Sequence, residues 1–182
     1  MKHFCRNLLL SLSLLAASFA LADDKPRVSP HETITANIDG SEVTIVYGRP
    51  YTKDPKSGAP RKIWGELVPF GQVWRTGADE ATLLTTKKSY DIGGTTVPAG
   101  TYSLFTLPEQ GGGKLIVNKQ TGQWGTKYDE KQDLARVDMK KEAADKAADQ
   151  FTIAIKPDPA GGGTLKFIWE NTQYSVAIKA AK

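Results

Sequence analysis

Hydrophobic residues in this chain recur mostly at every second position and in short runs, the spacing of strands rather than of helices. Residues 34–38 and 42–47 are two such runs, and in the second Val43, Ile45 and Tyr47 alternate with Thr44 and Val46. Asp39-Gly40 falls between them, which predicts a hairpin. Further strands are predicted over 81–86, 90–92, 95–97, 101–107, 114–118, 134–139 and 151–155. Gly93-Gly94, Pro98-Ala99-Gly100 and the Gly111–Gly113 run supply turns between several of them. Within 101–107, Tyr102 and Leu104 face one way and Ser103 and Phe105 the other. Near the end, Leu165, Phe167 and Trp169 alternate with Lys166, Ile168 and Glu170, and Tyr174, Val176 and Ile178 return. Asn171-Thr172 between them reads as the turn of a last hairpin.

Two stretches break the alternation. Residues 48–73 hold four prolines and four glycines and little periodicity. A loop of that length in one domain is either functional or ordered by its own anchors, here Tyr51, Ile63, Trp64, Leu67 and Phe70. Residues 119–133 form a second irregular stretch, carrying Trp124, Tyr128 and Asp129. Over 140–150, Ala143, Ala144, Ala147 and Ala148 recur at helical spacing. They predict one short surface helix without large apolar residues. The pattern as a whole predicts an all-β fold, an antiparallel β-sandwich or flattened barrel of about nine or ten short strands. One long ordered loop and that helix complete it. No linker or internal repeat divides residues 33–180, so they form a single domain.

The first residues read as an address. Lys2, His3 and Arg6 precede an apolar run over 8–15 broken only by Ser11 and Ser13, and Ala20-Leu21-Ala22 offers a small-x-small cleavage site. Residues 1–22 are therefore expected to be a signal peptide cut after Ala22, with 23–32 a flexible leader. The protein is expected to be periplasmic or secreted, with no stable membrane insertion after cleavage. Cys5, the one cysteine, precedes the apolar run and is not placed as a lipoprotein cysteine.

Composition adds exclusions. At 40% hydrophobic and 24% charged, the 182-residue chain is too apolar for a disordered tail. Its net charge of +4 owes two positive charges to Lys2 and Arg6, so nucleic-acid binding is not expected. Beyond residue 22 there is no cysteine and a single histidine, His31. Disulfides, cysteine nucleophiles and Cys- or His-based metal sites are excluded with them. Neither a metal nor a cofactor is expected. His31, in the leader, reads as solvent-exposed. No Gly-x-Ser-x-Gly elbow, His-Glu-x-x-His helix or phosphate loop occurs.

The residues that match a known pattern are Tyr47-Gly48-Arg49-Pro50, IWGELVPFGQVWRTGADEAT at 63–82, and PAGTYSLFT at 98–106. LIVNK through Gln123-Trp124-Gly125 to Tyr128-Asp129 at 115–129, LARVDM at 134–139 and the terminal strands around Trp169-Glu170 continue it. Through them the sequence resembles the bacterial family DUF2911 over most of 43–179. The resemblance implies a small exported β-rich domain, mostly from bacteria with a Gram-negative envelope, and imports no established activity.

Chemistry concentrates in Trp74-Arg75-Thr76-Gly77-Ala78-Asp79-Glu80. Arg75 offers a planar fork of donors to a carboxylate, a phosphate or sugar hydroxyls, Trp74 a flat apolar face, and Asp79 and Glu80 acceptors. The competing reading pairs Arg75 with Glu80 or Asp79 and puts Trp74 in the core. Arg49, Arg61 and Arg136 are candidates to join Arg75 in a basic pocket. Arg136, mid-strand among apolar neighbours, requires a carboxylate partner, and Glu80 or Asp129 is expected. Trp64, Trp124, Tyr128 and Tyr51 are loop aromatics suited to sugar faces, or else plugs that hold the loops down.

The leading expectation is an exported binding or structural module, non-enzymatic, taking a glycan or small anionic molecule at a face shared by the 48–80 and 120–129 segments. Its candidate binding residues are Arg49, Trp64, Trp74, Arg75, Asp79, Glu80, Trp124, Tyr128, Asp129 and Arg136. One alternative is a small glycosidase-like hydrolase with two carboxylates from Glu66, Asp79, Glu80, Asp129 and Glu170 across a cleft. Another is an envelope assembly module with an exposed sheet edge.

Overall fold

A computed structural model describes residues 27–182, and the expected signal peptide lies outside them. Nine strands follow in order: β1 (His31–Ile38), β2 (Ser41–Gly48), β3 (Thr82–Thr86), β4 (Tyr90–Ile92) and β5 (Thr95–Val97). After these come β6 (Gly100–Pro108), β7 (Gly112–Asn118), β8 (Asp133–Pro157) and β9 (Gly163–Ala180). A single 3₁₀ turn, Glu130–Gln132, precedes β8. The strands form one antiparallel sheet in the order β1-β2-β3-β6-β7-β8-β9-β4-β5, all-β as expected and not closed into a barrel. Among the described residues no helix is long and apolar enough to cross a membrane.

The hairpin at Asp39-Gly40 forms because both turn residues adopt left-handed φ, +50° and +76°, the geometry that matches strand twist. Pairing then runs from Ile38–Ser41 to His31–Gly48. His31 and Glu32, expected in the leader, are thus part of β1.

The two longest strands overturn two expectations. Residues 140–150 are not a helix but the middle of β8. Without large apolar side chains, a helix there has no core to join and is marginal alone, whereas pairing with β9 satisfies the backbone. The register records the surplus: β8 spends residues 143–152 where β9 spends only 168–172. Asn171-Thr172 is likewise not a turn, because β9 continues through it. Glu170, at φ +51°, marks the irregularity. Buried apolar positions are odd-numbered before it (Leu165, Phe167, Trp169) and even-numbered after it (Tyr174, Val176, Ile178). The left-handed backbone at Glu170 breaks the pleat of β9, so parity flips there without the chain turning back.

These irregularities let the C-terminal half of β8 and the start of β9 fold over as an arm against β1 and the end of β2. The Ile153 N–H donates to the Tyr47 hydroxyl at 2.9 Å and the Phe151 N–H to the Pro50 carbonyl at 2.9 Å. The arm's Phe151, Phe167 and Trp169 complete one continuous core with Ile45, Leu84, Leu104 and Leu115. A smaller cluster, Phe105, Ile116 and Ala81, lies on the other face of β6 and β7, with Tyr128 and Val73 packed on it. Both faces of the sheet are therefore covered, the layering of a sandwich or flattened barrel.

Candidate functional site

The long excursion between β2 and β3 is pinned by fewer anchors than the sequence suggests. Ile63 is fully buried and Trp64 packs on the core, but Tyr51 and Leu67 are 40% and 43% exposed. Val68, not among the expected anchors, is fully buried and closes a tight turn through its N–H to the Ile63 carbonyl at 2.8 Å. Farther on, residues 74–80 run back along the sheet: Trp74 and Thr106 exchange backbone hydrogen bonds of 2.7 and 2.9 Å.

The second excursion, 119–129, lies against this strip. The Gly125 N–H donates to the Asp79 carbonyl at 2.8 Å, and the Ala81 N–H to Gln123 at 3.1 Å. Between the two excursions opens a cleft of about 350 Å³. Arg61 and Leu67 come from the first, Trp74 and Arg75 from the returning strip, Tyr128 from the second, and Phe105 and Trp169 from the sheet. The aliphatic stem of Arg75 rests against Gly125, where an added Cβ would stand 2.8 Å from Arg75 Cδ. Only glycine leaves room for that stem.

No carboxylate lines this cleft. Arg75 does not pair with Asp79 or Glu80 as the structural alternative required; its Nε donates to the Gly77 carbonyl at 3.3 Å. Arg61 donates from Nη2 to the Tyr51 carbonyl, and its Nε is buried without a partner. Asp54, the acid that feels Arg61, has its Oδ1 engaged by the N–H groups of Lys56 and Ser57. The Trp169 indole N–H is also buried and unpartnered. Each such orphan donor costs about 1–3 kcal/mol of desolvation.

Tyr128 forms the opposite rim, its ring 4.8 Å from Phe105. Its hydroxyl donates to Asp133 Oδ2 at 2.6 Å and accepts from Arg136 at 2.7 Å. Burial first, then the adjacent Asp133 carboxylate, pushes the phenol up to about 12. Arg136 binds Asp133 at 2.8 Å and Glu130 at 2.9 Å. It therefore has the carboxylate partner its position demanded, but not Glu80 or Asp129. It orients Tyr128 and does not reach the cleft lining.

Of the ten candidate residues, the cleft brings together Trp74, Arg75 and Tyr128. Arg49 instead ties β2 to the arm, donating to the Phe151 carbonyl at 3.2 Å and Thr152 Oγ1 at 2.9 Å. Trp64 is a plug: its ring lies 5.2 Å from Tyr174 and 6.5 Å from both Trp74 and Trp169. Asp129 caps the 3₁₀ turn through the Lys131 N–H. Trp124, 48% exposed, pairs its backbone with Glu80 outside the cleft. Asp79 and Glu80 turn away from Arg75 toward Arg27 and His31.

Of the carboxylates proposed for a hydrolase, only Asp79 and Glu80 come together, beside His31 and outside this cleft. Glu66 pairs with Lys62 at 2.8 Å, and Glu170 borders a separate depression beside Asn171. Trp169 and Phe105 are lining residues that sequence reasoning left out. Phe105 had a signal, since its side of β6 opposes the core-facing Tyr102 and Leu104.

A family model described as "Protein of unknown function (DUF2911)" matches residues 29–178. No curated protein and no solved structure matches the chain.

Proposed function

The chain belongs to the DUF2911 family, and from the chemistry of its cleft we propose an exported binding module for a small organic anion, a carboxylate or phosphate on an apolar or ring-shaped body. The observation that carries this reading is the pairing of Arg61 and Arg75 on one cleft with no lining carboxylate. A guanidinium presents a rigid fork of donors that matches carboxylate and phosphate oxygens two at a time. Charged groups facing an apolar wall are normally paired; here the pairing anion is supplied by the ligand. Trp74, Phe105 and Tyr128 supply apolar surface for its body. A volume near 350 Å³ lies within the range of small-molecule sites and holds a molecule of monosaccharide or amino-acid size. Charge selects the anion over a neutral glycan, while a uronic or phosphorylated sugar satisfies both requirements.

The test is a thermal-shift and calorimetric screen of carboxylates, phosphates and uncharged oligosaccharides. A true ligand at a hundred times its Kd stabilises the fold by about 2.7 kcal/mol. Stabilisation by anions that weakens with salt and disappears in Arg75→Ala is the expected result. Stabilisation by neutral oligosaccharides alone, no stabilisation by any member, or an unchanged response in Arg75→Ala, refutes the proposal.

A further inference from the structure

Away from the cleft, on the other side of the 74–80 strip, three potential ligand atoms converge. His31 Nε2 lies 3.4 Å from Asp79 Oδ2 and 3.4 Å from Glu80 Oε2. All three atoms fall within 4.8 Å of one another. They come from distant parts of the chain, β1 and the end of the long excursion. Their approach is built: Gly48 pairs with His31 across β1 and β2, and a Cβ at Gly48 would stand 3.1 Å from the imidazole Nε2.

A second feature points to a cation at this place. Arg27 reaches in from the chain before β1 and puts Nη1 at 2.6 Å from Glu80 Oε2, 3.1 Å from His31 Nε2 and 3.9 Å from Asp79 Oδ2. One positively charged nitrogen thus faces all three acceptors. Its other nitrogen, Nη2, holds Glu80 Oε1 at 2.9 Å. One guanidinium against two carboxylates still leaves a negative charge uncancelled. A divalent ion in place of the guanidinium would balance both carboxylates. Donors about 2.0–2.2 Å from zinc stand about 3.3–3.6 Å apart in a tetrahedral shell, and the two His31 separations fall in that interval.

We propose that His31, Asp79 and Glu80 form a site for one divalent transition-metal ion, with Arg27 as the built-in cation that holds the site until the metal displaces it. The mixed imidazole and carboxylate set suits zinc or manganese. Three protein ligands leave a coordination position open to water or to an anion, as in zinc sites that bind exchangeable ligands. A shallow depression of about 250 Å³ beside Arg27, His31 and Glu80 gives the ion and its fourth ligand access. The inference stands apart from the cleft, because neither Arg61 nor Arg75 takes part.

Untagged protein titrated with zinc chloride by calorimetry tests it, with circular dichroism confirming that each variant is folded. One ion per chain is expected, with affinity about tenfold higher in Arg27→Gln, which removes the competitor and its charge-assisted bonds. His31→Ala and Asp79→Asn abolish binding; asparagine is chosen because it tolerates the φ of +63° at position 79. Zinc should also displace the imidazole NMR signals of His31, a readout that needs no variant apart from the assignment. Binding seen only in Arg27→Gln overturns the proposal, because the ion then fails to displace Arg27. It is also overturned if Arg27→Gln binds no zinc, if binding survives both His31→Ala and Asp79→Asn, or if the His31 signals stay fixed at saturating zinc.

Discussion

Replacing Trp64 by alanine separates a plug from a binding platform. A fully buried tryptophan removes about 150–250 Å² from water, worth about 4–6 kcal/mol at the usual area coefficient. Trp64 is partly exposed, so about half of that applies. Its tilted contact with Tyr174 and edge contacts with Trp74 and Trp169 add about 0.5–1.5 kcal/mol. The indole N–H bond to the Trp169 carbonyl at 3.3 Å adds about 1 kcal/mol. Trp64→Ala should therefore cost about 4–5 kcal/mol, within the range for deleting a large core aromatic and a large share of a domain's stability. Urea unfolding should show a lower midpoint with an unchanged slope. Trp64→Phe, which keeps a ring but loses the donor, should cost about 1–2 kcal/mol. Trypsin should cut faster at Lys56, Arg61 and Lys62 in the alanine variant, because the excursion has lost its peg. A cost below about 1 kcal/mol for Trp64→Ala would refute the plug and return this indole to the pool of free binding surfaces.

Gly125→Ala puts a Cβ 2.8 Å from Arg75 Cδ and 2.9 Å from the Asp79 carbonyl; about 1–3 kcal/mol of overpacking is expected in thermal unfolding, together with weaker anion binding as Arg75 is pushed aside. Unchanged stability and binding would mean the Arg75 stem is not held there. Asp39 accepts backbone N–H bonds from Gly162 at 2.6 Å and Ala180 at 2.7 Å, and those bonds hold its carboxyl below the usual range. Its contribution is complete above the unfolded carboxyl pKa of about 3.9 and is lost as pH falls through the lower folded value, so Asp39→Asn should flatten the acid side of the melting-temperature profile; an equally steep profile would refute this.

Alternation alone was enough for the hairpins at Asp39-Gly40 and Gly93-Gly94, because a two-residue turn is a local property of its own residues. Where legibility failed, the deciding contact was remote. The alanines at 143–148 carry helix propensity, but β9 offered their backbone a partner, and tertiary pairing outweighs propensity. The parity flip after Trp169 is written in the sequence, yet a broken pleat and a hairpin produce the same signature, and only the length of the opposing strand separates them. In the site, Trp74, Arg75 and Tyr128 were readable as aromatic and cationic residues in irregular segments. Arg136 was readable only as a charge in need of an acid; that its acid is Asp133, three residues away, depended on where the 3₁₀ turn aims that side chain. His31 is exposed as read, but its place in β1 was hidden by the polar, proline-bearing start of the chain.

The segment between β2 and β3 is longer than the connection it makes requires. The two strands are antiparallel neighbours in the sheet, and a two-residue turn could join such a pair. Residues 49–81 are spent there instead, and their last stretch is strained. Thr76 and Asp79 hold φ values of +55° and +63°, each costing about 1–2 kcal/mol for a residue with a side chain. The surroundings enforce that shape. Thr82 Oγ1 donates to the Thr76 carbonyl at 2.7 Å, Thr76 Oγ1 lies 3.1 Å from Thr106 Oγ1, and a Cβ at Gly77 would meet the Gly48 carbonyl at 2.9 Å. A sheet that only had to fold would gain by relaxing these positions. What the strained path achieves is to send Arg75 into the cleft and, four residues later, Asp79 toward His31. Strain concentrated between two unrelated clusters of chemistry, and locked by buried hydrogen bonds, is what a rigid strip serving both would require.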